Sequence, residues 1–487
     1  MLGITSFGAY IPRLRLVRAV GAQANAWFNS AVLAQSRGER AMANWDEDAL
    51  TMAVEAARDA LAGRARDDIG AVFFGSTTHP FADRQNAGLL AGALDLPEAI
   101  VTSDLAGSQK AGTGALLAAL NHAAAGHRGE SLAVAGEHRR ARAGSVQELM
   151  YGDAAAAFSI GRDQVIAEFL GSHSTSIDFV DHYRRADSDF EYHWEERWIR
   201  DEGYMKLVPA SITAALAKLE IDAASVDHFI LPENTAKLAA TVAKRCGIAE
   251  SAARDGLLGN VGLTGAAHPL LLLAHALEDA RPGQTLVVVG FGQGCDVLAF
   301  RTTEALGRLA RRHAVSGSLA RRKEEKNYQK FMAFNEVLVM EKGLRAESNP
   351  QTALTTQYRH RRMLLGLVGG RCSQCGTPQL PPADVCVNPA CQHTGPMSPY
   401  RFADEPARIK TWSADNLTFT PDPPAHYGMV EFERGGRFMA DITDYDVGAV
   451  SVGQAVRMVF RVRGRDPVRG ITRYFWKAAP IYGAKEA

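Results

Sequence analysis

The sequence predicts a layered α/β core built from a duplicated unit, followed by a cysteine knuckle pair and a small β-barrel. Three observations carry this. Residues 1–305 run twice through the same order of apolar strands and Ala/Leu-rich helices. Four cysteines then fall as CxxC, ten residues, CxxxxC. The last 80 or so residues alternate short β-rich runs with Gly and Pro turns, the pattern of a small barrel.

The whole chain bounds the problem first. Its 487 residues suggest two or three domains with ample core. Lys plus Arg number 54 and Asp plus Glu 54, so no global field favours a nucleic acid or an anionic membrane, and neither is expected as a partner. The first seven residues lack the basic-then-apolar pattern of a signal peptide, and no apolar run of about 18 residues occurs. A cytoplasmic protein is expected. Six cysteines in so long a chain do not suggest a disulfide framework.

In the first half, strands are expected over residues 3–12, 69–74, 131–136 and 154–160, with a helix over 46–62 that has an acidic start. The second half repeats the order, with helices over 211–219 and 236–246 and strands over 226–231, 286–290 and 296–301. "IGAVFFGSTTHP" matches "VDHFILPENTAK" in place, and "SLAVAG…GDAAAAFSI" matches "TLVVVG…GCDVLAF". The sites of such a fold lie at strand C-terminal ends.

The organising stretch is Asp104 to Leu117, which reads as a loop opening the Ala/Leu-rich helix over 115–125. A helix start offers unpaired N–H groups and partial positive charge, so it can hold an anion or an oxygen acquiring charge. The plain alternative is an ordinary strand-to-helix junction.

Residues 306–345 are rich in Arg and Lys at helical spacing. A solvated connecting helix is expected there rather than a nucleic-acid patch, because aromatic interleaving is sparse. A linker and a short helix follow over 346–365. Cys372, Cys375, Cys386 and Cys391 can surround one zinc tetrahedrally, with His393 nearby as a spare ligand. No open coordination position is implied, so the metal is expected to be structural. Strands over 408–412, 428–433, 438–442, 455–462 and 470–476 make up the barrel.

Residues 1–305 resemble the thiolase superfamily, and within it the hydroxymethylglutaryl-CoA synthase and type three ketoacyl synthase branch. The stretches that carry this are Gln109-Lys110-Ala111-Gly112-Thr113, Tyr151-Gly152-Asp153-Ala154-Ala155, Gly259-Asn260-Val261-Gly262 and Gly290-Phe291-Gly292-Gln293-Gly294. Residues 350–487 resemble the zinc-ribbon plus OB-fold proteins that accompany thiolase-like enzymes. The resemblance implies a duplicated five-layer fold over 1–165 and 166–305, a helical linker over 306–365, a zinc ribbon over 366–402 and an OB-fold over 403–487. It also implies a homodimer and an acyl-CoA or acyl-carrier-protein substrate.

The departures from the family pattern bear most on function. Four residues before Thr113, where the family has its nucleophilic cysteine, stands Gln109. The family's glutamate position holds Thr77, and its histidine position, five before Lys237, holds Pro232 beside Glu233. An amide cannot form a thioester, but Gln109 can donate a hydrogen bond. Asn260 and the backbone near Gln109 and Gly292 are the expected oxyanion pocket. His79, Glu233 and His268 are the expected acids or bases. Lys237 is expected to meet the CoA phosphates, with Gly292 and Gly294 alongside. The resulting expectation is an acyl-CoA enzyme making or breaking a carbon–carbon bond, of aldol, retro-aldol or decarboxylative type, without a cysteine acyl-enzyme. The alternatives are acyl transfer through Ser108 or Cys295, and a non-catalytic acyl-CoA-binding scaffold.

Overall fold

The computed structural model describes residues 1–344 and 353–481. It divides into two compact units. The first comprises residues 1–43, 48–88 and 97–337, and the second comprises 44–47, 89–96 and 338–487.

The first unit is built on one nine-stranded sheet. From one edge its strands are His228–Ile230, Thr285–Phe291, Gly294–Thr302, Ala167–Ser176, Gly3–Tyr10, Ala154–Gly161, Glu130–Glu137, Ile69–Gly75 and Val101–Leu105. Within the sheet the two halves join where Gly3 and Ile4 pair with Glu168 and Ala167. Each half-sheet has helices on both faces. Ala49–Ala60 covers the outer face of the first, and Val208–Lys218 with Leu238–Arg245 cover that of the second. Between the half-sheets, Ala111–Ala124 packs against His268–Asp279. This is the layered, duplicated arrangement the repeat implied.

The sequence explains these elements residue by residue. In Thr285–Phe291, Leu286 and Val288 join the central core while Val287 and Val289 join the outer one. A strand buried on both faces reads as a continuous apolar run, as this one does. The Ala49–Ala60 helix starts at Asp48, whose side chain accepts from Thr51 N at 2.8 Å while Thr51 Oγ1 accepts from Asp48 N at 2.8 Å. This reciprocal box satisfies two otherwise orphaned donors. The second half is less complete than the first: in place of a fifth strand it has a single parallel bridge between Phe229 and Ala253.

The expectation of one solvated helix over 306–345 is corrected. Among the described residues this segment is broken into Leu306–Arg308, Ala314–Ala320, a strand Lys323–Glu325 and the helix Tyr328–Phe334. Lys323–Glu325 pairs in parallel with Leu14–Leu16, and Phe331 and Phe334 are buried. Periodic Arg and Lys spacing thus masked aromatic anchors and a β pairing. Of the linker and short helix expected over 346–365, residues 346–352 lie outside the described residues, and the helices Leu354–Arg359 and Arg361–Gly366 follow.

In the second unit, Val368–Arg371 pairs with Pro378–Gln379 and with Ser398–Arg401 around the four cysteines. Five antiparallel strands follow in the order Arg437–Asp441, Ala425–Phe432, Ala407–Asp415, Ala455–Asp466, Ile471–Pro480. A bridge from Ile442 to Ala478 and the bond from Thr443 N to Ala478 O at 2.9 Å close them into a barrel. Fully buried Arg461 is matched by Glu47 at 2.9 Å and Asp444 at 2.8 Å, and buried Lys477 by Asp46 at 2.8 Å. Buried charges persist only when paired in this way. No helix among the described residues is long and apolar enough to cross a membrane.

Candidate active site

Gln109 sits at the head of the inner helix Ala111–Ala124 and is 9 % exposed. Three segments converge on it. The first is the glycine loop of the second half. A Cβ on Gly292 would lie 2.9 Å from Ser108 Oγ and 3.0 Å from Gln109 N, so only glycine admits this approach. Gly294, at φ +116°, would place a Cβ 2.0 Å from Thr175 O. Ser108 Oγ donates to Gly292 O at 2.6 Å, and Gly292 N donates to Gly294 O at 3.1 Å. Of the two expected cofactor glycines, Gly292 therefore packs against Gln109 and Gly294 against Thr175.

The second segment is the hairpin of His182–Tyr183 and Tyr192–His193. Gln109 Nε2 donates to His182 Nε2 at 2.9 Å, and His182 Nδ1 donates to Asp181 Oδ2 at 3.0 Å. With the amide N–H donating, Nε2 is the acceptor, which is the pattern a neutral imidazole with its proton on Nδ1 makes. Burial pulls the His182 pKa down, but the hydrogen bond and charge of Asp181, aided by Glu191, outweigh it and hold the value above the ordinary one. Glu191, beside the same hairpin, forms a two-pronged ion pair with Arg139, Nε to Oε1 at 3.1 Å and Nη2 to Oε2. Burial raises the Glu191 pKa, yet the Arg139 charge overrides that and holds it at about 2. The Arg139 guanidinium also lies 3.5 Å above the centre of the Tyr151 ring.

The third segment is the end of the strand Glu130–Glu137. Glu137 is fully buried. Its carboxylate accepts from Thr77 N at 2.5 Å, from Thr77 Oγ1 at 3.0 and 3.2 Å, and from Thr78 Oγ1 at 2.7 Å. Burial pushes its pKa up against these bonds. A carboxylate thus reaches Thr77, the position where the family pattern has a glutamate, from a different strand. A Cβ on Gly265 would meet Gln109 Oε1 at 2.6 Å, Arg139 Cδ at 3.0 Å and Glu137 Cγ at 3.3 Å, so these three side chains converge on one space. Gln109 Oε1 is buried without a hydrogen-bond partner among the described residues.

The acids and bases expected from sequence have their own partners. His268 is 1 % exposed; its Nδ1 accepts from Thr264 N at 3.1 Å and its Nε2 donates to Gly256 O at 3.1 Å. Both nitrogens are committed, and burial pushes the pKa down to about 4, so this histidine braces a loop. Glu233 accepts from Ala239 N at 2.8 Å and so caps the helix Leu238–Arg245. Its pKa is raised by burial. His79 packs edge-on to Phe74 with ring centroids 4.7 Å apart, and its Nε2 is buried without a partner among the described residues. Burial lowers its pKa, with Asp104 opposing.

Asn260 is exposed and lines a surface cavity of about 540 Å³ with Val17, Gly38, Glu39 and Arg322. Its neighbours Gly259 and Val261 bond the strand Glu39–Met42. Lys237 is exposed, at φ +70°, where the Leu238–Arg245 helix begins. Cys295 is fully buried, and burial pushes its thiol up to about 12, so it carries no thiolate at neutral pH.

Sequence reasoning missed Glu137, Arg139, Asp181, His182 and Glu191. For Glu137 and Arg139 a signal was present: a "GEHRR" run ends a strand whose C-terminal end faces the site.

In the second unit, Cys372 Sγ is 3.9 Å from Cys391 Sγ and Cys375 Sγ is 3.6 Å from Cys386 Sγ, with all four sulfurs within 4.8 Å of one another. A Zn–S bond of about 2.3 Å sets tetrahedral sulfurs about 3.8 Å apart, so the four thiols fit such an ion. His393 Nε2 instead lies 3.4 Å from Ser373 Oγ.

Comparison with known proteins gives the same two parts. The family model described as 3-oxoacyl-[acyl-carrier-protein] synthase III C terminal matches residues 216–301, and that of the ChsH2 C-terminal OB-fold domain matches 400–461. The chain is similar to the hydroxymethylglutaryl-CoA synthases of Aeropyrum pernix, at 32% identity over 62% of this chain and 86% of that protein, and of Archaeoglobus fulgidus, at 32% over 63% and 90%. In structure it is similar to MvaS in complex with 3-hydroxy-3-methylglutaryl coenzyme A, with TM-score 0.59, 18% identity, and coverage of 68% of this chain and 91% of that one. It is also similar to Pseudomonas aeruginosa 3-oxoacyl-(acyl carrier protein) synthase III, with TM-score 0.56, 21% identity, and coverage of 62% and 98%.

Proposed function

The chain belongs to the hydroxymethylglutaryl-CoA synthase family, and from that premise we propose that it makes or breaks a carbon–carbon bond on an acyl-CoA thioester without moving the acyl group onto the protein. It is an acyl-CoA-dependent enzyme of the thiolase superfamily. One observation carries the non-covalent part: the residue at the helix head is an amide, Gln109, hydrogen-bonded to an imidazole that is itself bonded to a carboxylate. An amide N–H can hold the oxygen of a thioester enolate, and carbon–carbon chemistry of aldol, retro-aldol or decarboxylative type needs that stabilisation rather than a nucleophile.

The acyl-transfer alternative finds little support. Ser108 gives its proton to the Gly292 carbonyl, which cannot act as a base, and Cys295 is held as a thiol. The scaffold alternative holds only if nothing is turned over. A panel of acyl-CoA thioesters, with and without an aldehyde or ketone partner, followed by mass spectrometry, tests the proposal. New or cleaved carbon–carbon products are expected. Their absence across the panel would leave the scaffold reading.

Three further assignments belong to this reading. Lys237, exposed at its helix start, meets the CoA phosphates as a point charge. The four cysteines hold one structural zinc, which would fix the two knuckles as a single folded element. The edge strand Val101–Leu105, with Val101 half exposed, pairs with its copy across a two-fold axis, since an open sheet edge tends to be covered. Light scattering at micromolar concentration should give a dimer, and a monomer would remove the last assignment.

A further inference from the structure

We infer that His182, oriented by Asp181, is the base that takes the proton from the α-carbon of the acyl-CoA, and that the Gln109 amide N–H receives the enolate oxygen formed. The inference rests on the reading above that the acyl group stays on CoA.

His182 belongs to no element of the layered core. A two-residue strand carries it, and the hairpin is tied down on both sides. Glu191 pairs with Arg139, and Trp194 N donates to Asp181 O at 2.9 Å. These ties hold Nε2 against Gln109 while leaving the His182 side chain 13 % exposed. His268, Glu233 and Glu137 are already bonded, whereas His79 Nε2 has no partner among the described residues. His268 has both nitrogens bonded within the loop it braces, Glu233 caps a helix, and the Glu137 oxygens accept four bonds from Thr77 and Thr78. His79 faces the Phe74 ring. His182 is the imidazole whose unprotonated nitrogen meets the helix-head amide.

The step balances without a co-reactant. The thioester oxygen takes the Gln109 N–H that His182 Nε2 accepts in the free protein, which frees the Nε2 lone pair. That lone pair takes the α-proton. The C–H electron pair becomes the enolate C=C bond, and the carbonyl π pair moves to the oxygen held by Gln109. His182 is then an imidazolium, its Nδ1–H still on the Asp181 carboxylate. When the enolate carbon bonds to a carbonyl partner, the imidazolium proton passes to the new alkoxide. In the cleaving direction the same nitrogen takes the β-hydroxyl proton first. Nothing is oxidised or reduced.

The test follows deuterium entering the acyl α-carbon from D2O, by mass spectrometry, with the full chain. The wild type is expected to exchange. Folded His182→Ala, checked by circular dichroism and thermal midpoint, is expected to lose about 10²–10⁴-fold and to regain part of the rate with free imidazole, a readout that a merely structural role would not move. The groups facing His182 are Asp181 and Glu191, which raise its pKa, and Arg139 and Gln109; His193 lies across the hairpin. A base must be neutral to work, so the wild-type rate should climb with pH through a midpoint above the ordinary histidine value. Asp181→Asn should lower both that midpoint and the rate. Wild-type exchange in folded His182→Ala would overturn the assignment, and so would a slowed variant that imidazole does not rescue. An acyl adduct on the protein, with exchange still dependent on His182, would sink the non-covalent reading and leave the base in place.

Discussion

Gln109→Ala is expected to slow carbon–carbon turnover about 10²–10³-fold, the usual cost of removing one preorganised donor to a developing oxyanion. The side chain is nearly buried and its Nε2 is held beside His182, so the donor is in place before substrate arrives. The variant removes the donor and also the bond that orients the imidazole, which places the loss toward the upper end of that range. Its fold should survive, because the helix Ala111–Ala124 is held by its own buried face, with Ala115, Leu116, Ala119 and Leu120 in the central core. Asn260→Ala is the companion measurement. Asn260 is exposed and lines a surface cavity with Gly38, Glu39 and Arg322, so turnover of this variant should stay near wild type. A hundredfold loss there, with Gln109→Ala unaffected, would reverse the two assignments.

The second large effect falls on stability. Cys375→Ser should lower the zinc content of protein purified without added metal from one ion per chain to near none. It should also melt the ribbon around Val368–Arg371 and Ser398–Arg401. Structural zinc binding is worth roughly 10–16 kcal/mol in small metal-folded peptides, far more than the few apolar contacts such a short element provides. The backbone of the knuckles is already arranged for it: Gly376 N donates to Cys372 O at 2.9 Å and Cys391 N to Asn388 O at 2.9 Å. Metal analysis and thermal denaturation check both parts, and full occupancy in the variant would remove the zinc assignment.

The fold was legible because its signals are local. The run Leu286-Val287-Val288-Val289 can be buried on both faces, Asp48 and Thr51 announce a helix start, and paired cysteines stand out in a chain with six. Much of the site was not legible, because its partners are distant in sequence and lack periodicity. Gln109 and His182 are 73 residues apart, and the strands bearing His182 and His193 are two residues long. Glu137 reads as the polar end of an apolar strand until Thr77 and Thr78, about 60 residues earlier, are brought to it. Conversely, Glu233 and His268 drew notice as ionisable residues near expected loops, and the structure gives each a backbone group to satisfy. Residue type and position alone do not separate a base from a cap.

The most direct measurement is peptide mass spectrometry of the intact chain after incubation with acyl-CoA, read over residues 100–117. These peptides are expected to carry no acyl group while carbon–carbon product accumulates. An acyl adduct on Ser108 that forms and decays at the rate of turnover would contradict it.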